Sequence, residues 1–217
     1  MSGASVVMTS SVQDPSGFAP VGRVRAVPAR LVVLASGSGT TAQAVLDALG
    51  SRVVALGADR DCAALGRATA AGVETFVVPF AEFADRTAWN RGFEAALARY
   101  EPDLVVLAGF MRLFDAALVE RFRVVNTHPA LLPSFPGVGA RAVRAALDAG
   151  VKLAGATIHL VDAGMDSGPI LAQVAVPVED GDDVDTLFAR IQAAEKPLYV
   201  ETLRRLIEEI EHDHTQR

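Results

Sequence analysis

Short runs of apolar residues alternate with amphipathic stretches along the chain from residue 30 onward. Each run has a continuous apolar core, which predicts a strand buried on both faces, as in a parallel sheet covered by helices on both sides. The runs are RLVVLAS at 30–36, RVVALGAD at 52–59, VETFVVP at 73–79, DLVVLAG at 103–109 and RVVNTHP at 123–129. This order predicts a doubly wound α/β fold with a mostly parallel sheet.

The amphipathic stretches between these runs predict helices, because their apolar residues recur at helical spacing. They are TTAQAVLDAL at 40–49, CAALGRATAAG at 62–72, DRTAWNRGFEAALARY at 85–100, DAALVERF at 115–122 and ARAVRAALDAG at 140–150.

The C-terminal part of the chain follows a different pattern. Two further strands, KLAGATIHLV at 152–161 and ILAQVAVPV at 170–178, are separated by DAGMDSGP, which is too short for a parallel crossover, so an antiparallel or irregular pair is predicted. Residues 183–213 predict a closing helix, in which Pro197 favours a kink or a break. Its inward residues are predicted to be Leu187, Ile191, Leu198, Leu203, Leu206, Ile207 and Ile210.

The length and composition indicate one folded unit. A chain of 217 residues that is 51% hydrophobic and 21% charged can bury one sizeable core. Residues 1–28 mix Ser, Gly and Pro without periodicity and are predicted to be a flexible extension. Residues 29–217 are predicted to form a single domain.

Charge and cysteine content exclude several classes of function. The net charge is −6 and no Lys/Arg-rich run is present, which argues against a nucleic-acid partner. No apolar run approaches the roughly 18 residues of a spanning helix, and no leader pattern is visible, so we expect a cytoplasmic protein without a membrane partner. Cys62 is the single cysteine, which excludes an internal disulfide and a cysteine-based metal cluster and fits a reducing compartment.

A glycine-rich loop follows the first predicted strand. Residues 37–42, GSGTTA, match the dinucleotide fingerprint G-x-G-x-x-G/A, and Asp59 falls about 20 residues later, where a ribose-binding acid would belong. Glycines allow the backbone to approach an anion at a helix N-terminus, and Ser36, Thr40 and Thr41 add hydroxyl donors. A nicotinamide site, another phosphate site and an ordinary glycine turn remain open on this pattern.

Two further segments carry candidate chemistry beyond strand ends. AGFMRLF at 108–114 combines apolar residues, one cation and backbone amides, which suits a flat heteroaromatic ligand. The alternative is that these residues begin a helix and fill the core. Asn126 and His128 stand two residues apart in an extended segment, so both side chains can face one substrate atom.

An amide and an imidazole in that arrangement can stabilise a developing oxyanion. Asp166, on a glycine-flanked turn, can orient His128 and favour its protonated form by charge attraction. A structural histidine is the alternative. Because no Ser or Cys nucleophile stands beside this group, the grouping favours direct acyl transfer over a covalent intermediate.

Taken together, the segments ASGSGTT, DLVVLAGFMR, NTHPALLPSFPG, GATIHLVDAGMDSGPIL and ARIQAAEKPLY resemble the phosphoribosylglycinamide formyltransferases, the folate-dependent transformylases of purine synthesis. The resemblance covers residues 30–207. It implies transfer of a formyl group from 10-formyltetrahydrofolate to the amine of 5-phosphoribosylglycinamide, without a metal or NAD. It also implies a phosphate-binding half at about 29–127 and a half at about 128–213 that holds the catalytic loops, the strand pair and the closing helix.

The resemblance assigns roles to individual positions. Asn126, His128 and Asp166 match the catalytic residues. Gly39, Thr40, Thr41 and Glu195 match positions that bind the ribonucleotide. The donor-binding positions are Arg86, Met111, Arg112, Leu113, Phe114 and Asn126. His159 matches a second histidine whose role stays open, and Asp59 becomes a strand-end or helix-capping residue.

The chain departs from the family pattern in two places: SGSGTT stands where SGxGSN is commoner, and VGAR follows the FPG turn where a histidine-bearing segment is often found. These departures leave the side-chain contacts of Thr40 and Thr41, and the loop contacts near VGAR, open.

Three other functions compete with this one. A formyltetrahydrofolate hydrolase has the same chemistry with water as the attacking group, but carries an N-terminal regulatory domain for which the 29 residues before Arg30 are too few. A methionyl-tRNA formyltransferase needs a further C-terminal RNA-binding domain. A non-catalytic nucleotide-binding module would leave the Asn126, His128 and Asp166 grouping unused. The expected partners are small-molecule substrates, and a homodimer stays open.

Overall fold

The computed structural model describes residues 27–216. Residues 1–26, which make up nearly all of the predicted flexible extension, lie outside the described residues. The strands are β1 Leu31–Ala35, β2 Val53–Ala58, β3 Glu74–Val77, β4 Leu104–Leu107, β5 Val124–His128, β6 Leu153–Leu160 and β7 Ile170–Pro177. The helices are α1 Thr40–Leu49, α2 Ala63–Ala70, α3 Arg86–Ala98, α4 Ala116–Arg121, α5 Ala140–Asp148 and α6 Val184–Gln216.

The strands form one seven-stranded sheet in the order β3-β2-β1-β4-β5-β6-β7. Strands β1 to β5 are parallel, whereas β6 pairs antiparallel with both β5 and β7. The predicted doubly wound α/β fold with an antiparallel C-terminal part is therefore confirmed. The strand order reverses between β1 and β4, which opens a crevice at their carboxyl ends, where ligands bind in such sheets.

Alternate residues of β1 show why its whole run is apolar. Leu31, Val33 and Ala35 pack into a cluster with buried residues of α1, α2 and α6. Val32 and Leu34 face the other side and join a cluster with buried residues of α3 and α4. Helices thus cover both faces of the sheet, as the continuous apolar runs predict. None of the helices in residues 27–216 is both long and apolar enough to cross a membrane.

The long C-terminal helix α6 passes through Pro197 without interruption. Of the two predicted outcomes, a kink or a break, the break is wrong. A proline in a helix costs about 3 kcal/mol because a hydrogen bond is lost. Burial of Ile191, Tyr199 and Leu203 on either side offsets this cost. Six of the seven predicted inward residues of α6 are buried, and Leu198 is partly buried.

Tyr199 fixes the position of α6 along the strands of the sheet. Its buried hydroxyl lies 3.0 Å from the Leu107 carbonyl oxygen and 3.1 Å from that of Val125, so it donates to neighbouring strands β4 and β5. Glu195 stands one helical turn before Tyr199 and lines the crevice at the carboxyl ends of these strands. The apolar and hydrogen-bonding contacts of α6 therefore place a carboxylate in the ligand-binding region.

Candidate active site

A cavity of about 480 Å³ lies beyond the carboxyl ends of β1, β4 and β5. Every predicted site residue lines it, as does His159. These residues are Gly39, Thr40, Thr41, Arg86, Met111, Arg112, Leu113, Phe114, Asn126, His128, Asp166 and Glu195. The structure thus brings together residues that are up to 156 positions apart, from Gly39 to Glu195. The role of each residue stays a prediction.

The glycine loop lies between β1 and α1. Gly39 precedes α1 with φ +69°, the left-handed conformation that favours glycine. Its missing side chain leaves room for α2, because a Cβ at this position would lie 2.6 Å from the Cβ of Ala64. Arg67 on α2 holds the loop from the other side, since its Nε donates to the Ser38 carbonyl oxygen over 2.8 Å. The free N–H groups at the start of α1 can bind an anion.

Gly39→Ala should lower the free energy of unfolding by about 2 kcal/mol or more, because the new Cβ meets Ala64 and the backbone is strained. Urea unfolding measures this change. Gly37→Ala is the matched control, since a Cβ at Gly37 meets nothing within 4 Å and should change stability by less than about 0.5 kcal/mol. Equal losses in the two variants would contradict this account of the loop.

Glu195 is a carboxyl group buried in the cavity wall, with 4% of its surface exposed. Burial raises its pKa to about 7, and the hydrogen bond from Thr41 opposes this rise only in part. The Thr41 hydroxyl lies 3.5 Å from Glu195 Oε1. A carboxyl group placed beside hydroxyl-bearing side chains in a binding cavity can accept hydrogen bonds from the hydroxyl groups of a sugar.

The predicted catalytic residues meet in the cavity wall. His128 Nδ1 lies 3.4 Å from Asp166 Oδ2, an ion-pair distance. His128 Nε2 lies 2.9 Å from the Phe135 carbonyl oxygen, which only accepts hydrogen bonds, so Nε2 carries a proton. Both ring nitrogens of His128 therefore face oxygen atoms that can accept hydrogen bonds. Asp166 has φ +52° and also accepts from Gly137 N over 2.8 Å.

His159 connects to this group through Asn126, its direct neighbour across β5 and β6. His159 Nδ1 lies 2.9 Å from the Leu160 carbonyl oxygen and therefore carries the proton. Its Nε2 is left to accept from Asn126 Nδ2, 3.2 Å away. Burial lowers the pKa of His159, which agrees with a neutral ring. This bond fixes the Asn126 amide and leaves its second N–H available.

The segment between β4 and α4 forms another wall of the cavity. It has no regular structure, and α4 begins only at Ala116, so the alternative that this segment starts a helix is wrong. Met111 and Leu113 are 51% and 49% exposed, although both are apolar. Phe114 fills the core as well, because its ring stacks on Trp89 with centroids 5.8 Å apart. Arg86 Nη2 donates to the Leu113 carbonyl oxygen over 2.9 Å.

Asp59 lies directly after β2 and takes no part in the cavity wall in the described chain. It is therefore a strand-end residue, and its carboxylate pairs with Arg60 and Arg112. It caps no helix, because Cys62 occupies the N-cap of α2. The Ser36 hydroxyl, expected to serve a phosphate, instead accepts from Met111 N over 2.9 Å.

Sequence reasoning missed two kinds of cavity residue. Phe188 and Gln192 line it from α6, at positions seven and three residues before Glu195, so helical spacing could have identified both. Val138 and Met165 come from irregular loops, for which no periodic signal exists. Within residues 27–216 no cluster of His, Cys, Asp or Glu is suited to hold a metal ion.

The cavity belongs to a fold with known relatives. A sequence profile described as formyl transferase matches residues 29–203. The chain belongs to the formyl transferase family. That span contains every predicted site residue, from Gly39 to Glu195.

Relatives of this formyl transferase share most of its length. A phosphoribosylglycinamide formyltransferase of Mycobacterium tuberculosis is 52% identical over 195 residues, which cover 87% of each chain. The enzyme of that name from Escherichia coli is 37% identical over 177 residues, 78% of this chain and 82% of the relative. The crystal structure of glycinamide ribonucleotide transformylase 1 from Symbiobacterium toebii superposes with a TM-score of 0.81 at 44% identity, covering 84% of this chain and 89% of that one.

Proposed function

We propose that this chain transfers the formyl group of 10-formyltetrahydrofolate to the amine of 5-phosphoribosylglycinamide, in de novo purine biosynthesis. The observation that carries the proposal is one cavity that combines a glycine loop suited to phosphate with the Asn126, His128 and Asp166 group. The names of the relatives support the same reaction. The proposal uses neither a metal ion nor a nicotinamide.

The ribonucleotide would lie along β1 and α6. Backbone N–H groups of Gly39, Thr40 and Thr41 would bind its phosphate, helped by the positive end of the α1 dipole. Glu195 would accept hydrogen bonds from the sugar hydroxyls, with the phosphate at the start of α1. This orientation would direct the amine toward β5, where Asn126 and His128 stand.

The formyl donor would occupy the wall between β4 and α4. The exposed apolar side chains of Met111 and Leu113 offer contacts for a flat ring, and Phe114 supports them from the core. Arg86 holds the backbone of this segment, and Arg112 adds a cation. Asn126, at the junction of this wall and the catalytic group, would also contact the donor.

In the reaction the neutral amine attacks the formyl carbon. Asn126 Nδ2 and His128 would donate hydrogen bonds to the oxygen that becomes negative, and removal of one such donor costs about 2.7–4 kcal/mol in other enzymes. The bond from the formyl carbon to the folate nitrogen then breaks. The amine loses one proton and the folate nitrogen gains one, and Asp166 would assist this transfer through a water molecule.

His128 imposes one condition on this mechanism. Its Nε2 proton already points to the Phe135 carbonyl oxygen, 2.9 Å away. The formyl oxygen must therefore share or replace that acceptor. Phe135 has a positive φ of +55°, a conformation that costs a non-glycine residue energy.

The test follows the absorbance change of 10-formyltetrahydrofolate with and without phosphoribosylglycinamide. We expect product formation to depend on the glycinamide. Equal consumption of the donor without the glycinamide would overturn transferase activity in favour of hydrolysis. Thermal-shift measurements give an independent check, since we expect both substrates to raise the melting temperature, and stabilisation by NAD alone would contradict the proposal.

A further inference from the structure

Asp59 is a buried carboxylate outside the cavity that the proposed chemistry does not use. Its side chain has no exposed surface. Arg112 Nε lies 2.9 Å from Asp59 Oδ2, and Arg60 Nη2 lies 2.7 Å from the same oxygen. Burial raises the pKa of Asp59, but hydrogen bonds from Arg60, Ser36 and Arg112 outweigh burial and hold this pKa below its usual range. Asp59 is therefore ionised at neutral pH.

The contacts of Asp59 lead to two consecutive residues of the cavity wall. Ser36 stands beside the Asp59 carboxylate and helps to lower its pKa, and the Ser36 hydroxyl accepts from the backbone N–H of Met111 over 2.9 Å. Arg112, the next residue, reaches Asp59 directly. The Arg112 guanidinium also lies over the Phe80 ring, 4.5 Å from its centroid. The carboxylate thus holds this wall directly at the Arg112 side chain, and through Ser36 at the Met111 backbone.

This wall depends on such contacts, because residues 108–115 form no helix or strand. Its far end is held by Arg86, which donates to the Leu113 carbonyl oxygen, and by Asn90, which accepts from Asp115 N over 3.1 Å. Its near end is held by the Asp59 contacts. Between these two attachments Met111 and Leu113 present their exposed apolar side chains at the cavity.

We propose that Asp59 is a positioning residue for the formyl donor: through Ser36 and Arg112 it sets the place of Met111 and Arg112 in the wall that receives the donor. The inference rests on the proposed function. Asp59 itself touches neither substrate. Its loss should affect donor binding far more than ribonucleotide binding, because the Asp59–Arg112 ion pair ends in the donor wall, whereas Glu195 and the loop at Ser38 are held by contacts with Thr41 and Arg67.

Asp59→Asn keeps the shape of the side chain and removes its charge. We expect the KM for 10-formyltetrahydrofolate to rise about tenfold, because a charge-assisted hydrogen bond becomes a weaker neutral one. The KM for the ribonucleotide should stay within about twofold and kcat within about threefold. Calorimetric titration with tetrahydrofolate, the product, gives a readout independent of turnover, and its Kd should also rise about tenfold.

Two further variants complete the test. Ser36→Ala removes the backbone contact alone and should raise the donor KM about threefold. Asp182→Asn is the matched control. Asp182 lies just before α6, its Oδ2 is 2.8 Å from Arg190 Nη1, and it does not line the cavity. This variant should change neither KM, even where it lowers the melting temperature.

The outcomes separate the two proposals. A parental protein that transfers no formyl group overturns the proposed function. A parental protein that transfers normally, with an unchanged donor KM in Asp59→Asn, overturns the role of Asp59 alone. Equal rises in both KM values also overturn it, because they indicate general loosening. If Asp59→Asn fails to fold, Ser36→Ala decides the question by the same criterion.

Discussion

Asp166→Asn should lower kcat for formyl transfer by about 10²- to 10⁴-fold while the ribonucleotide binds with nearly unchanged affinity. The substitution keeps an oxygen for the hydrogen bond from Gly137 but removes the charge that stands 3.4 Å from His128 Nδ1. His128 then loses the neighbouring negative charge, and the proposed proton transfer between the amine and the folate nitrogen loses the group that would assist it. His128→Ala should have an effect of similar size, because it removes a donor to the oxyanion.

Steady-state kinetics and calorimetric titration of the ribonucleotide measure these two effects separately. Asp162→Asn is the matched control. Asp162 stands in the same connection and accepts hydrogen bonds from Gly164 N and the Ser167 hydroxyl, so its loss removes a charge without touching His128. It should lower kcat by less than about tenfold. Turnover near the parental value in Asp166→Asn or His128→Ala would show that the catalytic assignment is wrong.

Glu195→Gln should make the protein more stable at pH 8 and a poorer enzyme. Burial raises the pKa of Glu195 from 4.5 to about 7, so the folded state keeps a proton that the unfolded chain has lost between these pH values. The parental protein thus loses roughly 3 kcal/mol of stability from this residue as the pH rises from 4.5 through 7, and the loss is complete above 7. Glutamine does not ionise and avoids this loss.

Urea unfolding of the parental protein and of Glu195→Gln at pH 5 and pH 8 tests the direction of this change in stability with pH. The stability difference in favour of the variant should grow by roughly 2–3 kcal/mol between the two pH values. The KM for the ribonucleotide should rise at least about tenfold at pH 8, because an ionised acceptor is replaced by a neutral amide. Glu201→Gln, which changes an exposed residue of the same helix, is the control. A pH-independent difference would contradict the account of Glu195.

The strands and most helices follow from the sequence because each depends on local periodicity. Continuous apolar runs such as residues 31–35 can be buried on both faces, and the order of such runs predicts a parallel sheet. The convergence of Asn126, His128 and Asp166 follows in part from the same reasoning, since residues at strand ends and adjoining turns meet at the ligand-binding edge. The roles of the individual residues are predicted only by the resemblance to a known family.

The contacts that refine the site could not be predicted, because they join residues far apart in the chain. Nothing near Asp59 indicates that Arg112, 53 positions later, is its partner. The Phe135 carbonyl reaches His128 through a turn in which Phe135 has a positive φ. A phenylalanine in the sequence gives no sign of such a backbone conformation. The continuity of α6 at Pro197 likewise depends on burial against the sheet, and local helix propensity alone favours a break.

The pairing of Asn126 with His159 across β5 and β6 has a consequence for chain-length changes. Side chains alternate between the two faces of a strand, so a one-residue insertion within β6 would turn His159 to the opposite face. Asn126 would lose its acceptor, and Asp166 would lose His159 Nε2, which lies 3.6 Å from Asp166 Oδ1. An insertion or deletion in the middle of β5 or β6 should therefore disrupt the site. Changes in chain length should be tolerated only in the connections around these two strands.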